Sequence, residues 1–427
     1  MMRIKKIMDT DQYPRDLYLL LFVGGLFTLS TALSNTFVNI FLWKQSGKIT
    51  DIACYNLSIV VMQPIAFYFA GWFAKKIDRV IVLRIGVLIL AMFYIGVLFM
   101  GSMASNYLIL LGAMLGFGLG FYWLAFNVLT LEVTEPETRD FFNGYLGVLN
   151  SISGMIGPLS AGYIITRMDK HLGYETIFSI SMVLFLIAVV ISFFLKRRKA
   201  DGLYGIRKVL QERKQDKAWL QLLRAHFFQG FREGTFIFLI VIWVYTASKS
   251  EFALGSYGFV QSFVSFIGYY CVSHYLHPKN RMKAIFGGGL LLFVSPFMLL
   301  FPVSFTLLII YGVSVSIAYP LLLVPYVSLT YDIIGKCRGI HEKRIEYIVV
   351  RELYLNAGRI VSILTFIIVV HLLSEEKGIP LLLPILGAGH FFIYFCLRKV
   401  SITPRNSSSK TIEIAETQQD GNNPNKQ

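Results

Sequence analysis

Five charged residues stand inside long apolar stretches of this chain: Arg232 and Glu233 in one, Arg351, Glu352 and Arg359 in another. A guanidinium keeps its charge and forks onto a carboxylate or a phosphate, while a desolvated glutamate can take up a proton near neutral pH. His226, Gln229 and Glu233 recur at i, i+3 and i+7, and Glu352, Asn356 and Arg359 at i, i+4 and i+7. Each group therefore shares one helix face. Two chemistries follow. One is a buried salt-bridge set, for example Arg232 with Glu352 and Arg359 with Glu233, serving packing or gating. The other is anion binding by one or both arginines while a glutamate carries a coupling proton. Both can hold at once. Catalysis and metal binding have little support. His274, His371 and His390 are isolated, and Cys54, Cys271, Cys337 and Cys396 form no CxxC pair and no Cys/His cluster. No cofactor or metal is expected, and no enzyme activity.

The elements that must position these groups follow from composition. Of 427 residues, 55% are hydrophobic and only 15% charged, against about 25% charged in a soluble globular chain. Twelve apolar stretches appear, at 17–43, 51–73, 80–100, 106–132, 141–166, 174–195, 224–247, 252–276, 284–301, 304–331, 347–370 and 380–397. Each is long enough to cross about 30 Å of hydrocarbon as a helix. They are continuously apolar rather than alternating, which argues against barrel strands. The first is too long for a cleaved signal peptide and no small-x-small site follows it. At 1.5 Å per residue, Arg359 lies about 18 Å into the eleventh span, near the midplane, and Arg232 and Glu233 about 12–14 Å into the seventh.

Lysine and arginine set the expected orientation. Of the 40 such residues, 31 fall in the segments that share a side with the N-terminus, 6 in the opposite loops and 3 within spans. Both termini are therefore expected in the cytoplasm, in a multi-pass protein of the cell membrane. The net charge of +15 is then topological, which removes a nucleic-acid partner and leaves membrane lipids. Trp43, Trp72 and Trp243 sit at span ends, where an indole N–H stays wet.

Gly86 and Gly288, each opening a span after a basic loop, are 202 positions apart. Glu132 and Asp332, each closing a span, are 200 apart, and Asn150 and Asn356 are 206 apart. Six spans on either side of a basic loop thus form two equivalent halves. The expected organisation is a cytoplasmic N-terminus (1–16), an N-terminal six-helix bundle (17–195), a basic linker (196–223), a C-terminal six-helix bundle (224–397) and a disordered tail (398–427).

The fifth span reads Gly144-x8-Ser153-x3-Gly157-Pro158-x2-Ala161-Gly162. Small residues at these positions let helices approach closely, and Pro158 bends the helix where neighbours satisfy the freed carbonyl. This resembles motif C of the major facilitator superfamily, which is associated with antiporters. Gly71-Trp72-Phe73-Ala74-Lys75-Lys76-Ile77-Asp78-Arg79 resembles its motif A, with Lys75 at the usual aspartate position and Asp78 at a glycine position. Asp78 and Arg79, with Gly71, are then the gating candidates. The glycine run Gly112, Gly116, Gly118 and Gly120 matches the fourth span of the family without the motif B arginine. The resemblance implies an all-α fold of two pseudo-symmetric six-helix bundles with twelve transmembrane helices. It also implies a central cavity to which the seventh and eleventh spans contribute, so their two polar faces should meet.

In the N-half, Tyr122, Trp123 and Asn127 in the fourth span and Gln63 in the second are either packing or cavity wall, and Gln261 is a further cavity candidate. Glu132 and Asp332 read better as capping or gating residues than as ligands. The first functional hypothesis is a secondary transporter, monomeric and working by alternating access, drug-efflux-like, moving a small organic anion or an amphiphile with an apolar body. Coupling would run through a proton on Glu233 or Glu352. A lipid or glycolipid flippase on the same fold and a non-transporting scaffold or sensor are the alternatives.

Overall fold

The computed structural model describes residues 15–134, 136–197, 204–337 and 340–400, and these are helices and turns without a strand. The N-half holds α1 (Arg15–Ser46), α2 (Ile49–Lys76), α3 (Arg79–Met100), α4 (Leu108–Val133), α5 (Pro136–Arg167) and α6 (Lys170–Ser192). A short α7 (Ile206–Glu212) precedes the C-half. There follow α8 (Lys217–Ser248), α9 (Glu251–Tyr275), α10 (Arg281–Val294), α11 (Phe305–Lys336), α12 (Ile340–Leu373), α13 (Glu375–Gly387) and α14 (Gly389–Leu397). The expected disordered tail from residue 401 on and most of the N-terminal segment lie outside the described residues.

Hydropathy sees only the apolar middle of a helix, and several helices continue past it. α8 begins at Lys217, where the Asp216 carboxylate accepts the Trp219 amide at 3.0 Å, and α12 begins seven residues before its apolar stretch. Ser250 and Ser304 cap α9 and α11 in the same way. The span expected at 284–301 is α10 followed by a 3-10 turn, Ser295–Leu300, whose Pro296 lacks an amide donor for an α-helical bond. Among the described residues, ten segments are long and apolar enough to cross a membrane by length and composition. One of them, Arg79–Thr130, contains both α3 and α4, and α9 is outside the ten.

The repeat is visible in atomic contacts. Gly86 lets α3 lie against the backbone of α4 at Tyr122, and Gly288 lets α10 lie against α11 at Leu322. Arg79 at the start of α3 pairs with Glu132 near the end of α4 at 2.6 Å, while Arg281 pairs with Asp332 at 3.0 Å between α10 and α11. These are the same bracket, its arginines 202 and its carboxylates 200 residues apart. Two seams join the halves, α5 against α9 and α2 against α12.

Candidate functional site

The site begins with two helices that touch through their backbones. Gly230 and Gly234 of α8 sit against Leu355 and Arg359 of α12, and Gly358 of α12 sits against Phe227 of α8. A methyl group at Gly234 would fall 2.6 Å from the Arg359 carbonyl oxygen. Gly230-x3-Gly234 is thus a small-residue contact between membrane helices. Its small-x3-small spacing is a signal carried by the sequence itself.

That crossing delivers Glu233 to Arg359. The Arg359 guanidinium donates to Glu233 Oε2 from Nη2 at 2.7 Å and from Nε at 3.3 Å. The other oxygen, Oε1, accepts from Gln229 Nε2 at 2.9 Å and from the Tyr319 hydroxyl of α11 at 3.0 Å. His390 of α14, fully buried, lies 4.0 Å from the same oxygen. Arg359 Nη1 reaches Asn356 Oδ1 at 3.5 Å, and His226 Nδ1 is 3.1 Å from Gln229 Oε1. The two polar faces do meet.

The expected partnership of Arg232 with Glu352 does not form. Glu352 binds its neighbour Arg351 at 2.6 Å, and Asn356 Nδ2 donates to the Glu352 carbonyl at 3.0 Å. The reason is helical geometry: consecutive residues point about 100° apart. With Glu233 turned toward α12, Arg232 turns toward α9 and α11. There its guanidinium lies 4.8 Å above the Phe236 ring and against the Tyr311 hydroxyl. Arg232 is only 3% exposed, and its Nε and Nη2 are buried without a hydrogen-bond partner. It makes no ion pair among the described residues. Burying a charge without a counter-ion is costly unless something else pairs with it. Arg232, Glu233, Tyr257, Gln261, Tyr311 and Tyr319 line a cavity of about 420 Å³, within the range of small-molecule sites.

The N-half candidates are placed elsewhere. Tyr122 is buried and stacks on Phe27 with centroids 3.7 Å apart, and Trp123 meets the same ring edge-on at 5.2 Å. Gln63 is buried on α2 where the α4 glycines Gly116 and Gly120 press close, and Asn127 is half-buried on α4. None of the four lines the Arg232 cavity. Gly157 and Gly162 of the motif C-like segment press α5 against α1 and α9, and Pro158 meets Gly255 and Gly258 of α9. Gly144 lies on α5 as well.

The motif A-like residues divide their work differently from expectation. Asp78 does not bridge the halves. It caps α3, accepting the Val80 amide at 2.6 Å. Lys75, at the position where the family places an aspartate, instead pairs across the seam with Glu346 of α12 and donates to the Glu342 carbonyl at 2.9 Å. Gly71 packs against the Tyr204 ring just before α7. Glu346 escaped notice because it lies one residue outside the apolar stretch.

Comparison with known proteins agrees with this architecture. The family profile of the Major Facilitator Superfamily matches residues 17–336. The chain belongs to this superfamily of membrane transporters. It is 54% identical over 413 residues to the uncharacterized protein YqgE of Bacillus subtilis (strain 168), covering 97% of this chain and 96% of that one. An uncharacterized protein in the sodM 3' region of Geobacillus stearothermophilus is 59% identical over 174 residues, or 41% of this chain and 81% of that one. Among solved structures, the human organic anion transporter MFSD10 (TETRAN) superposes with a TM-score of 0.66 at 14% identity, over 90% of this chain and 100% of that chain. This last likeness concerns the fold. As a superfamily member the chain is a multi-pass membrane protein whose partners are lipids and a small-molecule substrate.

Proposed function

We propose that this transporter moves a small organic anion by alternating access across twelve spans with both termini in the cytoplasm, and that Arg232 is the primary anion ligand. One observation carries the reading: Arg232, a lining residue of the cavity, is a buried guanidinium with two unpartnered nitrogens and no ion pair with a carboxylate among the described residues. Glu233 already has Arg359 as its counter-ion, so the positive charge left over at the cavity is that of Arg232. The human protein of like fold is described as an organic anion transporter, which agrees in kind. Glu233 is the coupling candidate we favour over Glu352. It stands in the cavity wall and is held by groups from α8, α11 and α12, so protonation would release Arg359 and loosen three helices together. The cross-seam pair Lys75–Glu346 would then act as the gate at the end of the molecule that carries the basic loops.

The test is flux into proteoliposomes with a panel of organic anions, cations and neutral solutes, with a pH-sensitive dye inside. At least one anion should move, and the movement should fail in Arg232→Ala and lose its pH response in Glu233→Gln. Transport of cations alone, undiminished in Arg232→Ala, would refute the proposal.

A further inference from the structure

A second cavity of about 370 Å³ adjoins the first and shares Gln261, Val315 and Tyr319 with it. The two differ in chemistry. The first is walled by rings and aliphatic side chains around two charged groups, Arg232 and Glu233. The second lies where the halves meet, between α5 of the N-half and α9 and α11 of the C-half, and Asn150, Ser151, Ser262, Ser265 and Ser316 contribute to its wall. No charged side chain lines it.

Several of these polar groups have capacity to spare. Asn150 and Ser262 make no side-chain hydrogen bond among the described residues, although an amide offers two donors and an acceptor and a hydroxyl offers one of each. Gln261 donates from Nε2 to the Tyr257 hydroxyl at 3.1 Å, and its amide oxygen accepts nothing among the described residues. Ser151 gives its proton to the Gly147 carbonyl at 2.8 Å and keeps its acceptor lone pairs. Uncharged donors and acceptors gathered at one wall match a ligand that carries the same groups. Beside Phe266, Tyr269, Val315 and Tyr319 of the same wall, an alkyl chain would take these polar groups out of water without replacing their hydrogen bonds, whereas a ligand's hydroxyl groups would replace them.

We infer that the substrate is a monoanion with a body rich in hydroxyl or amide groups, such as a sugar acid, with its carboxylate at Arg232 and its neutral polar part between α5 and α9. This rests on the anion reading above and narrows it, because an amphiphile with an apolar body is disfavoured. It also gives the seam a purpose. A ligand that binds the C-half by its charge and α5 by its hydroxyls touches both halves, as a solute that couples their motion must.

The probes are D-gluconate, hexanoate and D-glucitol, which share six carbons and differ in charge and hydroxylation. Binding is read as thermal stabilisation of the purified full-length protein and as counterflow in proteoliposomes. D-gluconate should bind at least tenfold more tightly than hexanoate, and D-glucitol should not bind measurably. Asn150→Leu and Ser262→Ala should each weaken D-gluconate by roughly tenfold and leave hexanoate unchanged, while Arg232→Ala should weaken both acids. If hexanoate binds through Arg232 as tightly as D-gluconate, this inference falls and the anion reading stands. If hexanoate binding also drops in Asn150→Leu and in Ser262→Ala, the wall is structural and the inference falls again. If neither acid binds while another anion of the panel moves through Arg232, this inference falls and the anion reading stands; if Arg232→Ala changes nothing for any anion, both readings fall.

Discussion

The two halves share a frame and differ in what fills it. At the basic end each is fastened by the same bracket, Arg79–Glu132 in one and Arg281–Asp332 in the other, and each has a glycine that brings two helices into contact. In the middle they part. The N-half packs rings, with Tyr122 on Phe27 and Tyr94 stacked on Phe185, so aromatic side chains fill its centre. The C-half holds two ion pairs, Arg351–Glu352 and Arg359–Glu233, and a cavity lined by Arg232 and Glu233. A duplicated scaffold can thus keep its frame in both copies and hold the costly groups in one. The N-half contributes a wall and a strut, and the C-half contributes the charge.

The largest effects should come where the halves are tied together. Lys75 and Glu346 are both buried, with side chains 7% and 1% exposed. Lys75→Ala would leave Glu346 with the Gly205 amide at 3.2 Å as its remaining hydrogen-bond partner among the described residues, and a buried carboxylate stripped of its counter-ion costs about 3–5 kcal/mol. Thermal unfolding in detergent should show that loss, and the double variant Lys75→Met with Glu346→Leu should regain most of it. If the double variant is as unstable as Lys75→Ala, the seam depends on packing and not on charge. Arg359→Ala should come next. Its pair with Glu233 is partly exposed, at 23% and 16%, so the cost should be below the buried-pair range, about 2–3 kcal/mol. Adding Glu233→Gln should recover more than half.

Arg232→Ala should behave differently from both. The residue has no carboxylate partner to orphan, so stability should change by less than about 1 kcal/mol while the KM for the anion rises roughly 10- to 100-fold, in line with 1.5–3 kcal/mol for a hydrogen bond to a charged group. Arg232→Lys should recover part of the affinity, since it keeps the charge without the fork. A large loss of stability with unchanged KM would make Arg232 a structural residue. It would also erase the functional contrast between the halves.

Much of this contrast is legible in the sequence, for physical reasons. Apolar runs give the helices, because a membrane helix must hide its backbone from hydrocarbon whatever its neighbours. The depth of Glu233 and of Arg359, and the face each shares with the polar residues of its own helix, follow from the rise and turn of that helix. The partner of Arg232 does not follow, because it depends on how α8 is rotated against α12, which the glycines fix by packing. Lys75 and Glu346 are 271 residues apart, and no local pattern connects them. Likewise, the ring cluster around Tyr122 reads equally well as wall or filling until Phe27 is seen beneath it.

The smallest predicted effect tests the frame itself. The two brackets are equivalent in position but not in environment. Arg79 and Glu132 are 16% and 21% exposed, whereas Arg281 and Asp332 are 33% and 44% exposed. Water and salt weaken an exposed pair, and such pairs contribute about 0–1 kcal/mol. Arg281→Gln should therefore fall near zero, and Arg79→Gln should cost about 1 kcal/mol more, a difference of a few degrees in unfolding temperature for parallel samples in one detergent. High salt should shrink the Arg281 effect proportionally more than the Arg79 effect. Equal effects, or a larger one at Arg281, would mean that the brackets are not fastening their halves through charge. Their recurrence would then be a trace of duplication with no remaining energetic role.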